Sequence, residues 1–297
     1  MEQTLSLGRT ISPWLEMGSY EALWKETTAT FKKIADKFRE KPNAVPSDLV
    51  LPETAKQTAA ETAKILKQAN VERFGIRING AGEYPSRLRD AAHPVELLYY
   101  QGWWDLIHTR CIAVVGTRSP SADGQSRTAR VVKELVKDEF TIVSGLATGV
   151  DTIAHQTAIE AGGRTIAVLG TPLSDVYPAV NKSLQEQIAR DYLLISQIPV
   201  VRYSQQDYRF NRFFFPERNI TMSALTEATI IIEAGETSGT RVQARAAIQQ
   251  NRKLFILDSC FLNPSVTWPA YFERQGAIRV RSYEDIVKNL VPTTQQN

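Results

Sequence analysis

The chain has 297 residues, of which 43% are hydrophobic and 23% charged, and a formal net charge of +3. This is a globular composition, with room for one α/β domain of ordinary size plus a smaller appendage. The charge is too small to argue for a nucleic-acid partner by itself, and two cysteines, Cys111 and Cys260, without metal-ligand spacing exclude a disulfide scaffold and a thiolate metal site, so free thiols are expected.

The N-terminal stretch MEQTLSLGRTISPWLEM lacks a cationic segment followed by an apolar one, and no apolar run approaches a membrane span; a cytoplasmic protein without a leader is expected. Ser19 to Arg39 carries Leu23, Phe31, Ile34, Ala35 and Phe38 near helical spacing. Pro42, Pro46 and Pro52 make Lys41 to Glu53 a connector, and the Ala-, Lys- and Glu-rich stretch Thr54–Gln68 is expected to be helical. Residues 1–72 are therefore read as a helical N-terminal module and 73–297 as a second region. From Phe74 onward the rhythm becomes strand, loop, helix. Continuous apolar runs at Cys111–Val115, Thr141–Val143, Thr165–Leu169, Leu193–Ser196, Thr229–Glu233 and Leu254–Leu257 predict buried parallel strands. Helices are predicted over Ser121–Val136, Asp151–Ala161, Asn181–Arg190 and Thr240–Gln250, with Ser121 and Asp151 as N-caps and Gly162-Gly163 as a stop. Pro269–Gln275, a short IRVR strand and Tyr283–Leu290 close the chain. The expected fold is α/β and Rossmann-like, a mostly parallel sheet with helices on both faces.

Ligands of such sheets bind at the carboxyl ends of the strands. The loop Gly116-Thr117-Arg118-Ser119-Pro120-Ser121 offers a close-approach glycine, hydroxyls and a fork-shaped cation, or is simply a turn with an exposed arginine. It is not a GxGxxG loop, and no acid follows at ribose-binding spacing. Ser144-Gly145 through Gly149-Val150-Asp151 can cradle an anion, unless Asp151 already satisfies its amides. His155 on the following helix reads as structural, since no nucleophile or metal partner accompanies it. After Gly170-Thr171-Pro172, Tyr177 is either a base-stacking platform or a packed ring. Phe213-Phe214-Phe215 precede Arg218 and Asn219, and three consecutive Phe cannot all face one core. Glu233 through Arg241 forms a further Gly/Ser-rich loop, containing Ser238 and Gly239, with Arg241 in the first helical turn. No GxSxG, HExxH or P-loop pattern occurs, so no catalytic set, metal or cofactor is expected.

The order of these motifs resembles the Rossmann-like core of the DNA-processing protein A family (DprA, also called Smf), from about Phe74 to Ser259. Tyr84-Pro85-Ser86-Arg87-Leu88, with Pro94 and Gly102, is similar to its lead-in; IAVVGTRSPSADG, SGLATGVDTIAH, TIAVLGTPLSDVYPAVN, FPERN and EAGETSG follow in family order. The resemblance implies single-stranded DNA binding in a basic pocket, a homodimer formed through the core, and loading of a RecA-type recombinase during natural transformation, without enzymatic activity. Carried over residue by residue, it implies that Arg118, Ser144, Gly145, Arg218, Asn219, Ser238 and Gly239 line the DNA-phosphate pocket. Gly116, Ser119, Gly149 and Arg241 are added as phosphate-binding candidates, and Tyr177, Phe213 and Phe214 as base-stacking ones. The chain departs from the family pattern in having Ile220 for a second arginine, Ala224 for a glycine, and Ala179-Val180 where a basic residue is common. Residues 1–72 do not show the family's usual N-terminal module, and ending at 297 implies a member without the winged-helix appendage. These departures keep a second expectation open: a nucleotide or nucleotide-derived signal bound in the same crevice, in a bacterial conflict (anti-phage) system. Glu233, Glu236 and Asp151 would be the acid–base candidates for processing it.

Overall fold

The computed structural model describes residues 11–290; the outer ends of both predicted regions, and most of the stretch read for a leader, lie outside the described residues. Three helices open the chain: α1 (Pro13–Trp24), α2 (Phe31–Glu40) and α3 (Pro52–Gln68). The helical pattern across 19–39 thus resolves into two helices. Thr30 starts the second by accepting a hydrogen bond from Lys33 N, as an N-cap does. Pro52 occupies the first turn of α3, where its missing N–H costs nothing.

Two strands follow that the sequence analysis did not assign, β1 (Gly75–Ile78) and β2 (Leu97–Gly102). Then come β3 (Cys111–Val115), α4 (Ala122–Lys137), β4 (Thr141–Ser144), α5 (Val150–Glu160), β5 (Thr165–Leu169), α6 (Lys182–Asp191) and β6 (Leu193–Ser196). The chain continues through α7 (Val200–Gln205), α8 (Tyr208–Asn211), α9 (Phe214–Leu225), β7 (Ala228–Ile231), α10 (Thr240–Gln249) and β8 (Lys253–Leu257). It closes with α11 (Asp258–Leu262), α12 (Trp268–Glu273), β9 (Ile278–Val280) and α13 (Tyr283–Leu290).

The strands form one sheet in the order β1-β2-β6-β5-β4-β3-β7-β8-β9. Every pairing from β6 to β9 is parallel, while β1–β2 and β2–β6 are antiparallel. The mostly parallel α/β expectation therefore holds, with an antiparallel edge added. Strands β3, β4 and β5 are buried along their whole length, which is why they read as unbroken apolar runs. From β3 the chain winds through β4 and β5 to β6, then returns to place β7 on the other side of β3. That reversal is a topological switch point, where the loops at neighbouring strand ends diverge and leave a crevice.

The caps fall only partly where the sequence places them. Ser121 caps α4, accepting from Gly124 N at 3.0 Å. Helix α5 begins one residue earlier than predicted, its N-cap is Gly149 at φ +76°, and Asp151 lies inside the first turn. Gly162 follows the end of α5 at φ +71°, a left-handed stop.

The N-terminal helices share their core with the sheet region. Gly18 lets α1 cross α3 closely: a Cβ there would overlap Ala55 O and Ala59 Cβ. Tyr20 and Trp24 of α1 are fully buried, and Trp24 packs edge-on against Phe31 and Phe214 at 4.8 and 6.2 Å. The Glu21 carboxylate is buried as well, accepting from Tyr99 Oη (2.5 Å), Val200 N (2.8 Å) and Val201 N (3.0 Å). It joins α1 to β2 and to the start of α7.

Candidate nucleic-acid interface

A crevice of about 430 Å³ opens at the switch point. One wall is the β3 loop, Gly116 to Arg118; the opposite wall is the β7 loop, Gly235 to Thr240. Its base is α9, which presents Phe215, Arg218, Asn219 and Met222, the i, i+3, i+4, i+7 stripe of one helical face. Of the residues chosen from the sequence, Gly116, Arg118, Arg218, Asn219, Ser238 and Gly239 line this space.

Their chemical states differ. Arg118 is exposed and forms no ion pair among the described residues, so its guanidinium is available to an anion. Ser238 Oγ accepts from Thr240 N and from Thr240 Oγ1, at 3.2 and 2.9 Å, and keeps its own proton for a ligand. Asn219 spans the crevice base, accepting from Arg218 Nε at 2.9 Å and donating to Gly239 O at 3.3 Å; its second amide proton remains.

Arg218 is 5% exposed. Its Nη1 donates to Gly145 O and Val168 O, which ties the β4 and β5 ends to α9. Burial lowers its pKa to about 10, against the stabilising field of Asp151. Asp151, also buried, is pushed upward by desolvation and held back chiefly by Arg218. A buried charge without a compensating charge nearby is expensive, so these two groups support one another. Arg218 is therefore a fixture of the crevice floor, with only Nη2 lacking a protein acceptor among the described residues.

Ser144, Gly145 and Gly149 of the β4 loop lie outside the crevice lining. Ser144 Oγ is buried and donates to Val114 O at 2.7 Å. Gly145 is glycine because a Cβ would run into the Arg218 guanidinium. Gly149 packs on the carbonyls of Thr117 and Arg118, so it supports the β3 loop from behind. Asp151 accepts from Ala147 N at 3.3 Å, and Asn181 Nδ2 donates to Leu146 O and to Thr152 Oγ1. The Ser144, Asp151 and Asn181 side chains are spent on the loop's own shape.

Ser119 lies on the exposed rim, its N–H donating to Thr117 Oγ1 at 3.2 Å. Arg241 donates to Glu236 O at 3.1 Å, bracing the β7 loop from outside the crevice lining. His155 is structural, as read. Its Nδ1 lies 2.7 Å from Thr165 Oγ1, whose proton goes to Ile142 O; Nδ1 must therefore be the donor. Burial, then the field of Arg218, lowers its pKa to about 3 and keeps the ring neutral.

The aromatic assignments need correction. Phe214 is 7% exposed and packs among Trp24, Phe31 and Tyr203, so it cannot stack a base. Phe215 is the ring that reaches the crevice, seated where a Cβ on Gly170 would collide with it. Tyr177 is half-exposed and meets Phe215 edge-on at 5.4 Å. The helical stripe from Phe215 to Met222 was the signal that could have selected Phe215 over its neighbours. Phe213 is exposed at the start of α9, outside the crevice lining.

Two further arginines, Arg202 and Arg252, are held inside the fold. Arg202 donates to Trp24 O, Glu26 O and Thr27 O, and Arg252 to Asp90, Ala224 O and Gln250 O. Both are structural clamps. Of the carboxylates considered for acid–base work, Glu233 accepts from Ser121 N, Ser121 Oγ and Arg127. Glu236 accepts from Thr267 N and Oγ1, and Asp151 is engaged as above. Both cysteines are free and buried. Among the described residues no acidic, His or Cys group has metal-site geometry, and no helix is long and apolar enough to cross a membrane.

Known proteins share this architecture. The chain is 33% identical over 209 residues to the DNA processing protein DprA of Bacillus subtilis, covering 70% of this chain and 68% of that one. The X-ray structure of DprA from Streptococcus pneumoniae superposes with a TM-score of 0.69 at 27% identity, over 94% of this chain and 98% of that one. That coverage takes in N-terminal helices whose sequence carried no resemblance. DNA processing protein A from Helicobacter pylori, a structure described for its single-stranded DNA binding mode, matches 73% of this chain and 95% of its own at TM-score 0.62 and 27% identity. The family model for DNA recombination-mediator protein A matches residues 76–291, spanning the sheet from the second residue of β1 and every wall of the crevice, and the chain belongs to that family.

Proposed function

We propose that this protein binds single-stranded DNA along the β3–β7 crevice, in DNA processing or recombination. The observation that carries the reading is that Arg118, without an ion pair among the described residues, and the Ser238 hydroxyl line one crevice, with Phe215 in the same lining and Tyr177 against it. An arginine fork and small hydroxyls hold phosphate oxygens without reading sequence, and aromatic faces accept any base. The family membership and the Helicobacter relative's DNA binding support the same partner. The three nominated carboxylates are each engaged in shaping the fold, which favours a binding role over catalysis. Self-association, and delivery of the strand to a RecA-type recombinase, complete the proposed role.

The test is titration of fluorescent dT oligomers against wild type and Arg118→Ala. Binding is expected to tighten with oligomer length, to exceed that of duplex DNA, and to weaken steeply with salt. Removal of Arg118 is expected to weaken it about tenfold with an unchanged melting temperature. Saturable mononucleotide binding with no dependence on oligomer length would overturn the proposal in favour of a nucleotide ligand.

A further inference from the structure

Directly upstream of the crevice helix, the segment Asp207 to Phe213 exposes three large rings: Tyr208 (73%), Phe210 (62%) and Phe213 (59%). Between them stand Arg209 and Arg212, both exposed and without an ion pair among the described residues. The nearest acid in sequence, Asp207, is occupied as the cap of α8, accepting from Arg209 N at 2.8 Å. Each arginine lies over a neighbouring ring: Arg209 is 5.9 Å from the Tyr208 centroid, and Arg212 is 5.1 Å from that of Phe213.

The segment is held in shape. Gln206 Nε2 donates to Asn211 Oδ1 at 2.6 Å, and Asn211 Nδ2 donates to Tyr203 O at 3.2 Å. Phe213 N and Phe215 N continue the turn into α9 by donating to Phe210 O and Arg212 O. The exposed rings are thus presented by an ordered backbone. Its anchor is Phe214, buried against α1 and α2.

We infer that Tyr208, Phe210 and Phe213, with Arg209 and Arg212, form an extension of the DNA track that grips the strand as it leaves the crevice past Phe215 and Tyr177. This rests on the crevice binding single-stranded DNA. Three features favour a nucleic-acid strand over a protein partner. Among the described residues none of the three rings packs on another aromatic ring, so they are separate platforms, as successive bases require, and not one apolar pocket. The cations between them are unpaired and of one sign, which matches a phosphate backbone. The patch is continuous in chain with Phe215, already at the crevice mouth.

The test compares a dT oligomer of about six nucleotides, near the lower end of single-strand site sizes, with one of about thirty. The triple variant Tyr208→Ser, Phe210→Ser, Phe213→Ser is expected to bind the longer oligomer at least about tenfold more weakly and the shorter one unchanged. Arg118→Ala weakens both. In the long oligomer, 2-aminopurine beyond the crevice-bound stretch is expected to be quenched by wild type and not by the triple variant. Arg209→Gln with Arg212→Gln should lower the salt slope for the long oligomer by about two. Wild-type binding with unchanged long-oligomer affinity and quenching in the triple variant overturns the extension and leaves the crevice reading standing. Absence of wild-type binding to either oligomer overturns both. A concentration-dependent mass lost in the triple variant, with DNA affinity unchanged, reassigns the patch to self-association.

Discussion

The floor and the mouth of the crevice use the same residue types for opposite ends. On the floor, Arg218 is buried, bonded to two carbonyls and to Asn219, and balanced by Asp151. Arg118 on the crevice wall, and Arg209 and Arg212 upstream of α9, are exposed and unpaired among the described residues. The same division separates Phe214, locked among Trp24, Phe31 and Tyr203, from the exposed Phe213. Burial decides whether an arginine or a phenylalanine holds the protein together or stays available to a ligand, because a desolvated group must find its partners inside the fold.

Substitutions can break this contrast from either side. The largest effect belongs to the floor. Arg218→Ala strands the carbonyls of Gly145 and Val168 and leaves Asp151 without its balancing charge, at a cost of about 3–5 kcal/mol. Chemical denaturation is expected to register that loss, and an unchanged midpoint would place Arg218 with the mouth residues. Its DNA affinity is informative only alongside that measurement, whereas Arg118→Ala should leave the denaturation midpoint where it was.

The next effect concerns Glu21, which joins α1 to β2 and to the start of α7. Burial raises the Glu21 pKa to about 7, partly offset by its bonds from Tyr99 and the α7 amides. Its folded pKa exceeds its unfolded value, so the folded state binds the proton more tightly. The associated stability is complete below the unfolded carboxylate pKa and is lost as pH rises through about 7. The melting temperature should therefore fall between pH 5 and pH 8 by the equivalent of roughly 1–3 kcal/mol. Glu21→Gln should flatten that window; a slope that persists in the variant would assign it to other groups.

The smallest effect sharpens the mouth. Val180 is 75% exposed and lies near Tyr177, at a position where the family pattern carries a basic residue. Val180→Lys adds one phosphate contact. It is expected to tighten oligomer binding about threefold at moderate salt and to steepen the salt slope by about one. An unaltered slope would mean that the strand does not pass this side of Tyr177.

Much of this was legible beforehand. Strands β3, β5 and β6 match their apolar runs residue for residue, because a strand buried on both faces has no polar position to blur its ends. Helix α4 with its Ser121 cap, and α13, were equally plain. The antiparallel pair β1 and β2 was missed: Gly75–Ile78 is short and half-buried, and Leu97–Gly102 carries no helix-alternating context to mark it. The structural roles of Arg202 and Arg252 were not legible, because their acceptors include backbone carbonyls distant in the chain.

By itself the sequence determined the parallel α/β core, the strand ends that carry the loops and the family, because local periodicity and glycine placement are properties of contiguous residues. Only the tertiary structure decided which members of those loops remain available. Ser144, Gly145 and Gly149 turned inward while Arg118 and Ser238 stayed in the crevice lining, and Phe215 took the crevice place expected of Phe214. Each outcome depends on a partner that is remote in sequence: Val114 O for Ser144, Gly170 for Phe215, and Trp24 for Phe214. Hydrogen bonds and ring packing are satisfied in space, and that pairing is what a one-dimensional pattern does not carry.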